Sequence, residues 1–148
     1  MTAGQTEWMK TSLLRIIPIA VIAFALTGCS GSASGAPTSV ADDTIKGLPD
    51  TVTVDPASTE PLAVWIEQAE TFAVVTWGSS GCIATPVEIA GEGEVITIEF
   101  EPSTEEMCTA DMAPTTYTFT VPEGMSSTPT SVELTSEEQP SPTVLPLT

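Results

Sequence analysis

Short runs rich in β-branched and aromatic residues recur along the chain, and turn-forming residues separate them. Such spacing is typical of an antiparallel β-sandwich or barrel. The predicted strands are Thr51–Val54, Leu62–Ile66, Phe72–Trp77, Pro86–Ile89, Glu94–Phe100, Thr115–Val121 and Ser131–Thr135.

Two of these runs alternate strictly between apolar and polar residues, so each is expected to lay one face on a core. Ala90–Glu94 supplies the glycines of a hairpin turn between two neighbouring runs. Leu62–Glu70 is also compatible with one or two helical turns, and that alternative stays open here. The expected core-facing residues of the two alternating runs are Ile96, Ile98, Phe100, Tyr117, Phe119 and Val121.

The chain length of 148 residues allows one hydrophobic core. We therefore predict an all-β fold, a small antiparallel β-sandwich of immunoglobulin-like type, over residues 51–136. Residues 29–50, small and polar at first, are expected to form a flexible linker. Residues 137–148 are expected to be a flexible tail, with Val144–Leu147 as an optional edge strand.

The amino-terminal region has the layout of a secretory leader, because Lys10 and Arg15 precede the uncharged apolar run Ile16–Leu26. That run is too short for a transmembrane helix, which needs roughly 20 apolar residues. The run ends in Leu26–Cys29, which resembles the lipobox of bacterial lipoproteins. The resemblance implies cleavage of a signal peptide over residues 1–28 and a diacylglycerol on the thiol of Cys29. Residues before Met9 include Glu7, so translation is expected to start at Met9.

The resemblance places the mature protein on the extracytoplasmic face of the cell membrane, held through the lipid on Cys29. Of the three cysteines, Cys82 and Cys108 then remain as a pair in a compartment without cytosolic reductants. A disulfide between them is therefore predicted. A redox role is the alternative, but the chain has no Cys-x-x-Cys motif.

The net charge of −17 excludes whole classes of partner. After Cys29 a single lysine stands against nineteen carboxylates, so nucleic acid and anionic lipid surfaces would be repelled. Histidine and asparagine are absent, which removes imidazole bases, imidazole metal ligands and N-glycan acceptors. No cofactor and no catalytic residue is predicted.

Two segments contain residue types that could carry chemistry. Gly78–Cys82 contains two serines between glycines, but it lacks the Gly-x-Ser-x-Gly spacing and a histidine base, so a turn is preferred over a nucleophile. In Cys108–Thr115, Asp111 is expected to cap a turn rather than to bind a ligand.

Carboxylates and tryptophans suggest two further interpretations. Acidic residues between the cysteines offer oxygen ligands for Ca²⁺, but no calcium-loop motif is present, and a solvated acidic rim is preferred. Paired carboxylates serve glycoside hydrolases, yet Trp65 and Trp77 are better explained as core residues than as sugar platforms. The acidic residues concerned are Glu92, Glu94, Glu99, Glu101, Glu105, Glu106 and Asp111.

The segments Phe72–Cys82 and Cys108–Thr116 resemble small, uncharacterised lipoproteins of actinobacteria, and the likeness extends from the lipobox over most of the chain. That family implies no known activity, cofactor or catalytic residue. The sequence therefore predicts a noncatalytic envelope lipoprotein, a binding or structural module that meets another protein or a wall component. The alternative is a small carboxylate-based hydrolase or a calcium-dependent carbohydrate-binding module at the cell surface.

Overall fold

The computed structural model describes residues 36–148. The predicted signal peptide, Cys29 and the first part of the predicted linker lie outside the described residues. The described chain forms two four-stranded sheets. The strands are β1 (Asp43–Lys46), β2 (Leu62–Glu67), β3 (Thr71–Gly78), β4 (Thr85–Glu92), β5 (Val95–Glu101), β6 (Ala113–Thr120), β7 (Ser131–Ser136) and β8 (Gln139–Pro146).

The strand order is β1-β6-β3-β2 in the first sheet and β4-β5-β7-β8 in the second. All pairings are antiparallel except that of β5 with β7, which is parallel. The parallel pair arises because the chain crosses after β5 to β6 in the other sheet. Strand β6 runs back to the end of the sandwich where β5 began, so β7 starts there and runs in the direction of β5. The all-β, two-sheet prediction is confirmed, whereas a wholly antiparallel arrangement is wrong.

The core lies between the sheets and is built from alternating residues of the central strands. Ile96 and Ile98 of β5 are fully buried, and Tyr117 and Phe119 of β6 are 1% exposed, so both predicted faces are confirmed. Aromatic contacts tie the strands together: Phe72 stacks on Phe119 with ring centroids 5.4 Å apart. Burial of these side chains is the main stabilising contribution to the fold.

Residues 62–67 form β2, so the helical alternative for this segment is wrong. The register of β2 on β3 shifts between Trp65 and Glu67, which leaves Ile66 as a bulge residue with 47% exposure. A tight turn follows, closed by the Glu70 N–H donating to the Glu67 carbonyl at 3.0 Å. Within this turn Ala69 has a φ of 64°, a left-handed conformation that usually favours glycine.

The amino-terminal boundary of the sandwich differs from the prediction. Asp43–Lys46 form β1, although the sequence predicted a linker there, and Thr51–Val54 are not a strand. All four residues of β1 are exposed, so this strand lacks the apolar alternation by which strands are recognised. The Asp42 carboxylate fixes it by accepting hydrogen bonds from the N–H and hydroxyl of Thr120 at 2.6 and 2.9 Å.

The carboxyl-terminal boundary also differs, because the predicted flexible tail contains β8 and closes one side of the sandwich. Leu145 and Leu147 are 6% and 8% exposed. The Thr148 carbonyl accepts a hydrogen bond from the Trp65 N–H at 2.9 Å, which links the end of β8 to β2. Prolines suggested a loop here, but an edge strand tolerates proline, since only one side of it needs N–H donors.

The predicted hairpin is confirmed. Strands β4 and β5 pair in antiparallel register down to Glu92 and Val95. Gly93 in the connecting turn has a φ of 61°, which only glycine adopts without steric cost.

Candidate functional site

Both loops that carry the conspicuous sequence segments cross between the sheets at the same end of the sandwich. Residues 79–84 lead from β3 to β4, and residues 102–112 lead from β5 to β6. The predicted Cys82–Cys108 disulfide is present and joins the two loops, with the Cα atoms 5.2 Å apart. We call this end, formed by loops 79–84 and 102–112, the bridge end.

A hydroxyl network lies beside the disulfide and is centred on Thr109. Its Oγ1 lies 2.9 Å from Ser79 Oγ and 3.2 Å from Ser80 Oγ, and accepts a hydrogen bond from the Gly81 N–H at 3.0 Å. The Thr109 hydroxyl itself donates to the Asp111 carboxylate. Three hydrogen-bonding groups of loop 79–84 are thereby tied to loop 102–112, in addition to the disulfide.

Asp111 is held as an anion by this network. Hydrogen bonds from the Ser80 side chain, the Thr109 hydroxyl and the Ser80 backbone N–H, the last at 3.0 Å, lower the pKa of Asp111 to about 2. Asp111 accepts from the Thr109 hydroxyl in its own loop and from the Ser80 N–H in the other loop, so its carboxylate ties the two loops together; capping of a turn in its own segment stays a prediction. A carboxylate with so low a pKa is a weak general base at neutral pH.

The two serines of this network are turn residues, as predicted. The Cys82 N–H donates to the Ser79 carbonyl at 3.2 Å and closes the turn. Lys46 of β1 reaches the same turn, but its Nζ donates to the backbone carbonyl of Ser80 at 3.0 Å rather than to a hydroxyl. A Cβ at Gly81 would lie 3.1 Å from the Thr109 backbone nitrogen, so the close approach of the two loops favours glycine there.

The structure separates the acidic residues that lie close together in sequence. Glu92 is at the hairpin turn, remote from the bridge end, whereas Glu105 and Glu106 are exposed in the bridge loop. Within residues 36–148, no group of three or more Asp, Glu, Cys or His side chains gathers closely enough to hold a metal ion. The carboxylates of the predicted acidic rim thus form no single cluster.

A groove of about 410 Å³ opens between the two sheets at the bridge end, and sequence reasoning missed it. We call it the bridge groove. Trp77 of β3 lines it together with Phe100 of β5 and Leu134 of β7, and Glu101 and Glu138 also belong to its lining. Its remaining lining residues are Pro61, Thr76, Ala84, Pro102, Thr135, Ser136, Gln139 and Thr143.

The two tryptophans of the domain have different surroundings. Trp65 packs against the core with its ring edge-on to Phe72, at a centroid distance of 6.2 Å, which confirms its predicted role. Trp77 is half-buried and lines the groove instead, so its prediction as a core residue is wrong. The sequence did contain a signal: Trp77 lies two residues beyond the buried run Phe72–Val75 and directly precedes Gly78, the last residue of β3.

Two other depressions are present in the described region. One, of about 730 Å³, lies at the opposite end and is lined by residues around Glu70 and Met125. A smaller one, of about 270 Å³, includes Lys46, Ser80 and Glu105. Neither contains an aromatic side chain.

No protein-family model, curated protein or solved structure matches this chain. Residues 36–148 contain no helix with the length and hydropathy that crossing a membrane requires.

Proposed function

We propose that the protein is a lipid-anchored, extracytoplasmic envelope protein whose β-sandwich is a noncatalytic binding or structural module. The amino-terminal part of this proposal depends on the leader and on the lipobox-like Leu26–Cys29. The Cys82–Cys108 disulfide supports it, since such bonds persist in compartments outside the reducing cytosol. The third cysteine is then accounted for by the lipid.

The noncatalytic part of the proposal depends on how the bridge end uses its polar groups. Ser79, Ser80 and Thr109 donate to or accept from one another, and Asp111 serves as their anionic acceptor. These hydrogen bonds brace two crossover loops that a disulfide already joins. A low pKa suits Asp111 to this bracing and makes it a weak base for activating a serine.

Metabolic labelling with radioactive palmitate tests the anchor. We expect label in the wild-type protein, and sedimentation of the protein with membranes. The Cys29→Ala variant is expected to take up no label and to lose its firm attachment, because acyl chains contribute roughly 0.8 kcal/mol per buried CH₂. A Cys82→Ser variant serves as the matched cysteine control and should be labelled normally. Label in Cys29→Ala, or firm attachment without label, would contradict the proposal.

Calorimetric titration with Ca²⁺ tests the module against its calcium-dependent alternative. We expect no stoichiometric heat with the wild-type protein, because the Asp111 carboxylate is occupied by protein donors. A micromolar signal that disappears in Asp111→Ala would favour the calcium-dependent binder instead.

Two finer assignments stay predictions. One is membership of the group of small actinobacterial lipoproteins. The other is the immunoglobulin-like topology. The parallel pairing of β5 with β7 departs from the antiparallel sheets of that fold.

A further inference from the structure

We propose that the bridge groove binds a cationic side chain, a lysine ammonium or an arginine guanidinium, presented by a peptide segment of an extracytoplasmic partner. This inference rests on the proposed function, since it names the chemistry of the ligand that the binding module takes. It follows from three properties of the groove: an aromatic side chain in its lining, two glutamates in its lining that face no cation of the described chain, and walls that the disulfide-linked loops hold in place.

The apolar part of the groove suits the stem of a long basic side chain. Trp77 is half-buried, and Phe100 and Leu134, each 7% exposed, keep part of their surface open to the groove. Lysine and arginine bury their methylene stems on such surfaces and keep the charged end in contact with polar groups. An indole also attracts a cation over its ring face, by about 0.5–2 kcal/mol depending on desolvation.

The charge on the groove selects a cation. Glu101 and Glu138 both line it and are both exposed. Lys46 is the single basic residue of the described region, and it lies against Ser80 and a different depression. Within residues 36–148 the two glutamates therefore have no cationic side chain as a partner, in contrast to Asp111, whose carboxylate accepts hydrogen bonds from loops 79–84 and 102–112.

The groove is preorganised by its position beside the two disulfide-linked loops. Gly78 alone separates Trp77 from loop 79–84, and Glu101 immediately precedes loop 102–112. The disulfide fixes these two loops to one another. Ala84, another groove residue, is held by the Tyr117 hydroxyl, which donates to the Ala84 carbonyl at 2.7 Å. A groove with fixed walls loses little conformational entropy when a ligand enters.

The test follows the indole N–H resonances by NMR while the full-length protein, purified in detergent, is titrated with trilysine. Substitution of Trp65 and Trp77 in turn by phenylalanine assigns their signals. We expect a saturable shift of the Trp77 resonance and no shift of the Trp65 resonance. Salt should weaken the binding, because exposed charges are screened beyond about 10 Å at 0.1 M ionic strength.

Charge-matched variants separate a site from the general attraction of an acidic protein for a polycation. Glu101→Gln combined with Glu138→Gln is expected to weaken trilysine binding about tenfold, as the loss of two exposed ion pairs predicts. Glu67→Gln combined with Glu70→Gln removes the same charge at the opposite end and should change affinity less than about twofold. Equal weakening by the two double variants would overturn the proposal.

Alternative ligands provide the remaining outcomes. Trialanine, triglutamate and cellotriose should leave the Trp77 resonance unchanged, and a saturable shift with cellotriose alone would overturn the proposal in favour of a saccharide site. Because this titration does not depend on the acyl group, its failure leaves the palmitate result untouched. A protein that binds trilysine without incorporating palmitate would instead contradict only the anchor.

Discussion

The Tyr117 hydroxyl in the first sheet donates a 2.7 Å hydrogen bond to the carbonyl oxygen of Ala84, in the loop that leads to the second sheet. The ring is 1% exposed and packs edge-on against Phe100, with ring centroids 5.2 Å apart. One side chain thus fills the core and also fixes the crossover loop beside the bridge groove.

Replacing Tyr117 with phenylalanine removes only the hydroxyl. We expect a loss of about 1–2 kcal/mol in the free energy of unfolding, because the Ala84 carbonyl loses its partner. Urea denaturation checks this. Thr118→Val, at the neighbouring position of the same strand, is the control and should cost less. An unchanged midpoint in Tyr117→Phe would show that the hydrogen bond contributes nothing.

The same residue predicts a loss of stability in alkali. Burial raises the pKa of Tyr117 to about 12 from an ordinary value of 10.0. The unfolded chain therefore ionises first, so this contribution to stability is complete below pH 10 and is lost as the pH rises from 10 to 12. Since Tyr117 is the single tyrosine of the chain, ultraviolet absorbance follows its ionisation directly. Titration near pH 10 in the native protein would contradict this placement.

The Asp111 carboxylate predicts that the stability of the fold decreases in acid. Its pKa is lowered to about 2 from 3.8 by hydrogen bonds from the Ser80 side chain, Thr109 and the Ser80 backbone. Its contribution to stability is therefore present above pH 4 and is lost as the pH falls from about 4 to 2. Asp111→Asn should flatten the dependence of the melting temperature on pH in this window. Glu106→Gln, an exposed neighbour in the same loop, should leave that dependence unchanged.

The disulfide predicts a large effect of cysteine substitution. Its loop spans a sequence separation of 26 residues, for which the chain-entropy estimate is about 3.5 kcal/mol. Cys82→Ser should lower the melting temperature by more than about 10 °C in a domain of this size. Cys82→Ser with Cys108→Ser should behave like the single variant. A shift of only a degree or two would mean that the bond adds no stability.

Ala69 predicts a stabilising substitution. Its φ of 64° costs an alanine about 1 kcal/mol relative to glycine. Ala69→Gly should therefore raise the free energy of unfolding, despite the greater freedom of glycine in the unfolded chain. Ala57→Gly in an exposed loop, where φ is not positive, is the control and should destabilise slightly. Destabilisation of similar size in both variants would argue against the left-handed turn.

The sequence predicted those elements whose side chains alternate in the period of their strands. Ile96 and Ile98 show this, since their spacing placed them on the core face where the structure has them. Strand β1 was missed because pairing with β6, rather than burial, holds its exposed residues. The order of strands within the sheets follows from contacts distant in sequence, so it was not predictable from local patterns.

The candidate site, too, was predictable from the sequence only in part. Asp111 was expected to use local donors, and the Thr109 hydroxyl, two residues before it, is one of them. The Ser80 N–H of loop 79–84 could not be predicted as a donor to Asp111, because only the folded chain with its disulfide brings the two loops together. Trp77 was misassigned to the core because burial of a large aromatic residue is the commoner outcome, whereas its position at the open end of the sandwich leaves it half-buried beside the groove.

The central claim is that the three cysteines divide into one lipid attachment site and one structural disulfide. Mass spectrometry of peptides from the membrane-bound protein, digested without reduction, tests both parts together. We predict an amino-terminal peptide that begins with an acylated Cys29, and a crosslinked peptide pair containing Cys82 and Cys108. A free thiol at Cys29, or a disulfide joining Cys29 to Cys82 or Cys108, would contradict the account.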